Sequence, residues 1–312
     1  MNGSTSPAAE ARQPTPSRLS ARALILLVFI VLLWGASYPT MKAAALEIPI
    51  FTFRGLAGIA PGLVLLALAR ANGHSLHVPR EYRLGVVLTG FFTVTLTHVL
   101  TNFSTLYIAA GQASIMIYTM PLWAFIIGIP VLGERPTRGH WIGLVLGIGG
   151  MVLLWIQTAG GGISLGVLIG LAAAVSWACG TIAAKSASGH VPPLVLTGWM
   201  FVIGGIPLCL MGLTEIERFG PVSSTALLSA LFVAFGCNLI GFLGFFVLIK
   251  QVPAIVASLS VLAVPGVAFA GGLVMLGEAM TALDALAFAL LVGALATVMP
   301  KPTTKRRPEP GP

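Results

Sequence analysis

His98 is a histidine in the interior of a long apolar stretch, and Asn102 follows it by about one helical turn, so both side chains can share one helix face. An imidazole there can donate to a carboxylate or titrate near neutral pH; the plainer alternative is a neutral ring bonded to a neighbouring helix. Asn238 offers an amide in a later apolar run, as a solute contact or as glue between helices. Tyr118 and Thr119 precede Pro121, and Ser258 and Ser260 precede Pro265. A proline inside an apolar helix frees a carbonyl one turn earlier, which hydrocarbon tolerates only where protein or a water-filled cavity satisfies it. The prolines therefore mark either cavity-lining positions or packing kinks. Trp34 and Trp177 wall a cavity or pack the core, and Lys42 and Lys185 snorkel to the interface or serve as gate contacts. The candidate binding set is thus His98, Asn102, Tyr118, Trp34, Trp177, Asn238 and Ser260, with Pro121, Pro265, Lys42 and Lys185 for kinking and gating.

Other charged residues read as architecture. Arg54, early in an apolar run, is expected to pair with Glu47 in the preceding loop, because an unpaired guanidinium there is costly. Glu134 and Glu278 end their runs and are expected to cap neighbouring helices or pair with Arg135 or Arg138. No Asp or Glu lies in the middle of an apolar run, so a carboxylate proton relay or sodium site has no support. Cys179, Cys209 and Cys237 show neither CxxC nor Cys/His spacing, and neither a metal nor a cofactor is expected. An intramembrane enzyme is the weaker alternative: Gly35-Ala36-Ser37-Tyr38 lacks the second glycine of a nucleophile elbow, and there is no HExxH motif. No GxxxxGK[ST] cradle is present for ATP.

The elements that must position these groups are membrane helices. Hydrophobic residues make up 57% of the chain and charged ones 8%, with a mean hydropathy of +0.98, outside the range of soluble domains. Ten apolar segments can cross about 30 Å of hydrocarbon, at 22–42, 51–69, 84–105, 112–132, 140–157, 163–184, 193–212, 224–249, 254–276 and 280–299. Residues 1–20 and the basic 301–312 read as disordered cytoplasmic tails, and the first run lacks the small-residue cleavage site of a secretory signal. With both termini inside, 14 of 17 basic residues fall on the cytoplasmic side, leaving Lys42, Arg54 and Arg218. The net charge of +8 then reflects topology and contact with membrane lipids, not nucleic-acid binding.

The chain is also written twice. PLWAFIIGIPVLGE (121–134) and PGVAFAGGLVMLGE (265–278) agree at seven of fourteen positions 144 residues apart, and Trp34 and Lys42 recur as Trp177 and Lys185 at an offset of 143. The two halves are 21–157 and 163–300. Each holds five segments, an odd number, so the second copy must enter the membrane upside down. Such inverted repeats suit secondary transporters, whose central site opens alternately to either side. A passive channel or scaffold stands as the alternative. Glycines at 139, 143 and 147, and at 166 and 170, form small faces for intramolecular packing or for a weak homodimer seam.

WGASYPTMKAAA at 34–45, FTFRGLAG at 51–58, YIAAGQASIMIYTMPLWAFIIGIPVLGERPT at 107–137 and IKQVPAIVASLSVLAVPGVAFAGGLVMLGEAMT at 249–281 together resemble the EamA-type branch of the drug/metabolite transporter superfamily. The resemblance covers nearly all of the chain outside its tails. It implies an all-α integral membrane protein with ten transmembrane helices in a 5+5 inverted repeat, N-in and C-in. It further implies a bacterial inner-membrane location and export of amino acids or other small metabolites. The mix of rings, amides, hydroxyls and one histidine suits a zwitterionic or small amphipathic solute.

Overall fold

The computed structural model describes residues 21–132, 138–159, 164–248 and 263–298. Its elements are α1 (Ala21–Ala45), α2 (Ile50–Ala71), α3 (Arg80–Tyr107), α4 (Ala110–Ile117, resumed at Met120–Leu132), α5 (Arg138–Ala159), α6 (Leu165–Ala187) and α7 (Pro193–Gly212). After α7 come α8 (Ser224–Leu231, continuing through a π segment to Phe242–Leu248), α9 (Val264–Leu276) and α10 (Ala282–Val298). Among the described residues, eight helices are long and apolar enough to cross a membrane, and Val264–Leu276 and Ala282–Ala294 are shorter apolar helices. The segment expected at 254–276 is described only from residue 263. The third helix starts four residues earlier than expected, at Arg80, because Pro79 supplies a fixed φ just ahead of the first turn. Large apolar side chains point outward, among them Ile25, Val145 and Val274, as a lipid-facing surface requires.

Glycines bring the helices together. In α2 and α7, Gly55 faces Cys209, Gly62 faces Phe201 and Val202, and Gly198 faces Leu66. Residue numbers rise along one helix as they fall along the other, so α2 and α7 run antiparallel. They are also repeat-mates, since the 143-residue offset carries Gly55 onto Gly198 and Gly62 onto Gly205. The contacts close on themselves: a Cβ at Gly205 would lie 3.0 Å from Gly55 O, and one at Gly198 3.2 Å from Gly62 O. The repeat-mates α5 and α10 meet similarly, Gly147 beside Ala294 and Gly150 beside Ala287, again antiparallel. Gly147, Gly166 and Gly170 all abut residues of their own chain.

The halves interleave. Helix α1 packs on α8 and α9 of the second half, while α6 packs on α3 and α4 of the first. Both middle helices carry a π segment, Gly90–Leu96 in α3 and Phe232–Gly241 in α8, and the 144-residue offset places the first inside the second. A π turn releases carbonyls from the helical ladder, and such turns gather at functional sites. Phe92 O accepts from Ser176 Oγ at 2.7 Å and Thr97 Oγ1 at 2.8 Å, and Cys237 O accepts from Trp34 Nε1 at 3.3 Å. Each π segment thus offers a carbonyl to the half that packs against it, Phe92 O to Ser176 and Cys237 O to Trp34.

Candidate functional site

The site is built around Arg54, in the first turn of α2. Pro49 precedes this helix, and Glu215 from the loop after α7 accepts from Phe51 N at 3.0 Å and Thr52 N at 3.3 Å, satisfying free donors of its first turn. That capping fixes the rotation of α2 so that Phe53 and Arg54, each 3% exposed, point into the bundle. The Arg54 guanidinium lies 5.3 Å from the centroid of the Phe53 ring and donates through Nη2 to Met41 Sδ at 3.2 Å, a weak acceptor. Its Nε is buried without a partner.

The expected Arg54–Glu47 pair does not form. Glu47 accepts instead from Ser223 N at 2.6 Å and Ser223 Oγ at 2.8 Å, capping the start of α8. Those two bonds hold the Glu47 carboxyl below its ordinary pKa of 4.5. Nearness in sequence misled here: α2 turns Arg54 inward while the loop carries Glu47 outward.

Met41 joins Arg54 to Asn102. Asn102 is fully buried and donates through Nδ2 to Met41 O at 3.2 Å, leaving Oδ1 without a donor. His98, one turn earlier and just past the π segment, is half-buried with Nδ1 unpartnered, its ring 6.1 Å from that of Phe201. Tyr118, 7% exposed, ends the first piece of α4, where the helix breaks at Tyr118–Thr119 before Pro121. Trp34 meets Phe242 in a tilted contact at 5.7 Å, and Phe242 meets Phe201 edge-on at 5.3 Å, so an aromatic wall runs from α1 through α8 to α7. Asn238 Nδ2 donates to Ala57 O at 2.8 Å and ties α8 to α2 one turn beyond Arg54.

The sequence-derived candidates therefore separate. Arg54, His98, Asn102 and Tyr118 share one buried region with Tyr38. Trp34 and Asn238 make bonds that hold that region together. Trp177 is half-buried and Lys185 is exposed at the end of α6. Pro265, like Pro121, stands at the start of a helical piece. Ser260 and Glu134 lie outside the described residues.

Lys42 does not snorkel. Its Nζ bonds to Glu278 Oε1 at 2.5 Å and to Ile108 O at 3.3 Å, while Glu278 Oε2 accepts from Ala110 N at 2.8 Å. One carboxylate thus joins the end of α9, the end of α1 and the start of α4, instead of pairing with an arginine. Gly277, with φ of 67°, supplies the left-handed turn that presents it. Lys42, Ile108, Gln112 and Glu278 line a cavity of about 480 Å³, and Lys42 is the residue after Met41 on α1. Lys185 lies at the opposite end of the bundle, beside the start of α3, where Ser186 approaches Gly85.

Arg54 was missed as a site residue, although the sequence held a signal. It is one of three basic residues off the basic face, and such residues need a reason to be there.

The EamA-like transporter family model matches the chain twice, at residues 21–156 and 164–299. The uncharacterized transporter YvbV of Bacillus subtilis is 30% identical over 274 residues, covering 87% of this chain and 89% of that protein. A probable amino-acid metabolite efflux pump of Salmonella typhimurium is 30% identical over 286 residues, covering 86% and 91%. The uncharacterized inner membrane transporter YedA of Escherichia coli is 23% identical, covering 87% and 89%. A solved crystal structure with 23% identity superposes with a TM-score of 0.64 over 89% of this chain and 96% of its own, a match of fold. The chain belongs to the EamA-like transporter family, and is an all-helical, multi-pass transporter of the bacterial inner membrane.

Proposed function

We propose that the protein is a secondary, non-ATP carrier that exports amino acids or similar small metabolites by alternating access. In this reading ten helices cross the membrane as a 5+5 inverted repeat, with both termini inside and Lys42 and Glu278 at the outer face. One observation carries it: the repeat-mates α2 and α7 pack antiparallel through glycines matched by the repeat offset. Two equivalent halves in opposite orientation can exchange conformations, and the exchange inverts the accessibility of a site between them. His98, Asn102 and Tyr118 belong to that site, with Trp34 and Asn238 supporting it. Lys42–Glu278 is the outer gate contact, and Pro121 and Pro265 begin the helical pieces that move. The efflux-pump names of two relatives favour the amino-acid assignment. No enzymatic step is part of this reading.

Counterflow is the test. Liposomes containing the purified protein are loaded with mixed amino acids and small metabolites, and exchange against labelled external solute is read by mass spectrometry. Selective, saturable exchange supports a carrier, whereas non-saturating flux without counterflow indicates a channel.

A further inference from the structure

Among the described residues, the buried guanidinium of Arg54 has no carboxylate partner. Glu47 is bonded to Ser223, Glu215 to the first turn of α2 and Glu278 to Lys42 and Ala110 N. Asp284 accepts from Gln112 at 2.9 Å and Gln157 at 3.2 Å, while Glu81 and Glu217 are exposed. A buried cation without a counter-ion is costly, because a thioether and a ring face return little of the lost hydration. Met41, which accepts from Arg54 through Sδ and from Asn102 through its carbonyl, joins the guanidinium to the orphaned Asn102 Oδ1, and His98 Nδ1, one turn earlier on α3, is orphaned too. Among the described residues, three of the four buried polar side-chain atoms without a partner thus belong to Arg54, Asn102 and His98, and the fourth is Gln157 Oε1.

We propose that Arg54 is the anion-binding residue of the transport site, and that it takes the carboxylate of a small zwitterionic solute whose ammonium group donates to Asn102 Oδ1. The proposal rests on the carrier reading for its purpose, although not for its test. The guanidinium supplies planar N–H donors that match a carboxylate, and Nε is one of the two donors a bidentate pair uses. Asn102 Oδ1 is an acceptor waiting for a donor, which the ammonium of an amino acid provides. The aromatic wall of Phe201, Phe242 and Trp34 leaves an apolar boundary for a side chain. The solute thereby supplies the counter-ion the fold omits, so an occupied site is neutral and an empty one is charged.

Thermal unfolding of the detergent-purified full chain tests this without requiring transport. The probes are the common L-amino acids one at a time, their amides, sodium chloride and sodium phosphate. At least one free amino acid is expected to raise the Tm of the wild type, while its amide does not. Arg54→Gln is expected to remain folded without ligand and to lose the response by at least about tenfold in concentration. Arg54→Lys keeps the charge but loses the planar fork, and is expected to respond more weakly than wild type.

Four results would overturn the proposal: no shift with any free amino acid, equal shifts with acid and amide, a shift with chloride or phosphate alone, or an Arg54→Gln protein that is unfolded or responds as wild type. Wild-type counterflow alongside separates the two readings. Exchange that persists in Arg54→Gln leaves the carrier standing and removes the anion site, whereas ligand shifts without any exchange keep the site and remove the carrier.

Discussion

Replacing Gly62 and Gly205 with alanine, singly and together, probes the seam on which the inverted arrangement depends. A Cβ at Gly62 would lie 2.9 Å from Phe201 Cβ, Val202 Cγ2 and Val202 N. A Cβ at Gly205 would lie 2.8 Å from Ile59 Cγ1 and 3.0 Å from Gly55 O. Ordinary contacts need about 3.5–4.0 Å, so each methyl asks the helices to part by roughly half an ångström or more. Several of the opposing atoms are backbone and cannot rotate away. Overpacking of this kind costs about 1–3 kcal/mol. Either methyl forces the same separation of the same two helices, so the second adds little once the first has opened the seam. The double variant is therefore expected to fall well short of the sum of the singles, with a coupling of about 1 kcal/mol or more. Unfolding of the purified protein, wild type and three variants side by side, measures this. Additivity within about 0.5 kcal/mol, or no destabilisation by either single change, would refute the rigid shared seam.

Further outcomes follow from the polar network. Glu278→Gln removes the charge facing Lys42 while keeping an acceptor for Ala110 N, and is expected to cost about 1–2 kcal/mol in the same unfolding measurement; Glu278→Ala, which also uncaps α4, is expected to cost more. Asp284→Ala leaves Gln112 and Gln157 without their buried acceptor and is expected to destabilise by about 1–3 kcal/mol, whereas Asp284→Asn is expected to cost less. Glu47 has its folded pKa below its ordinary 4.5, so its contribution is present above that value and is lost as the pH falls through the folded one. Stability followed from pH 6 into the acid range is expected to fall less steeply in Glu47→Gln, and an unchanged slope would rule this out.

Much of the architecture could be read before any coordinates, because a membrane span needs about 20 apolar residues and announces itself by length. The duplicated GE element made the two halves visible, and the family match falls on both. Asn102 and His98 stood out as polar residues in apolar runs, and both have unpartnered atoms in the structure. Two features were not legible. The π segments carry no proline and no sequence mark beyond scattered glycines, since they arise from how α3 and α8 meet the opposite half. The role of Arg54 depends on a rotation of α2 set by Glu215, a partner 161 positions away in sequence. Neighbours in sequence suggested Glu47, and only the packed bundle shows that residue bonded to Ser223 instead.

The interleaving of the halves has a consequence for synthesis. Helix α1 leaves the ribosome well before the helices that cover it, α8 and α9. Until they arrive, the face of α1 that bears Gly35, which receives Val267 in the finished protein, must be held by lipid or by an insertion factor. Helix α6, by contrast, meets α3 and α4 already in place. The order of translation thus breaks the symmetry that the gene duplication created: α1 waits for α8 and α9, whereas its repeat-mate α6 finds α3 and α4 already made.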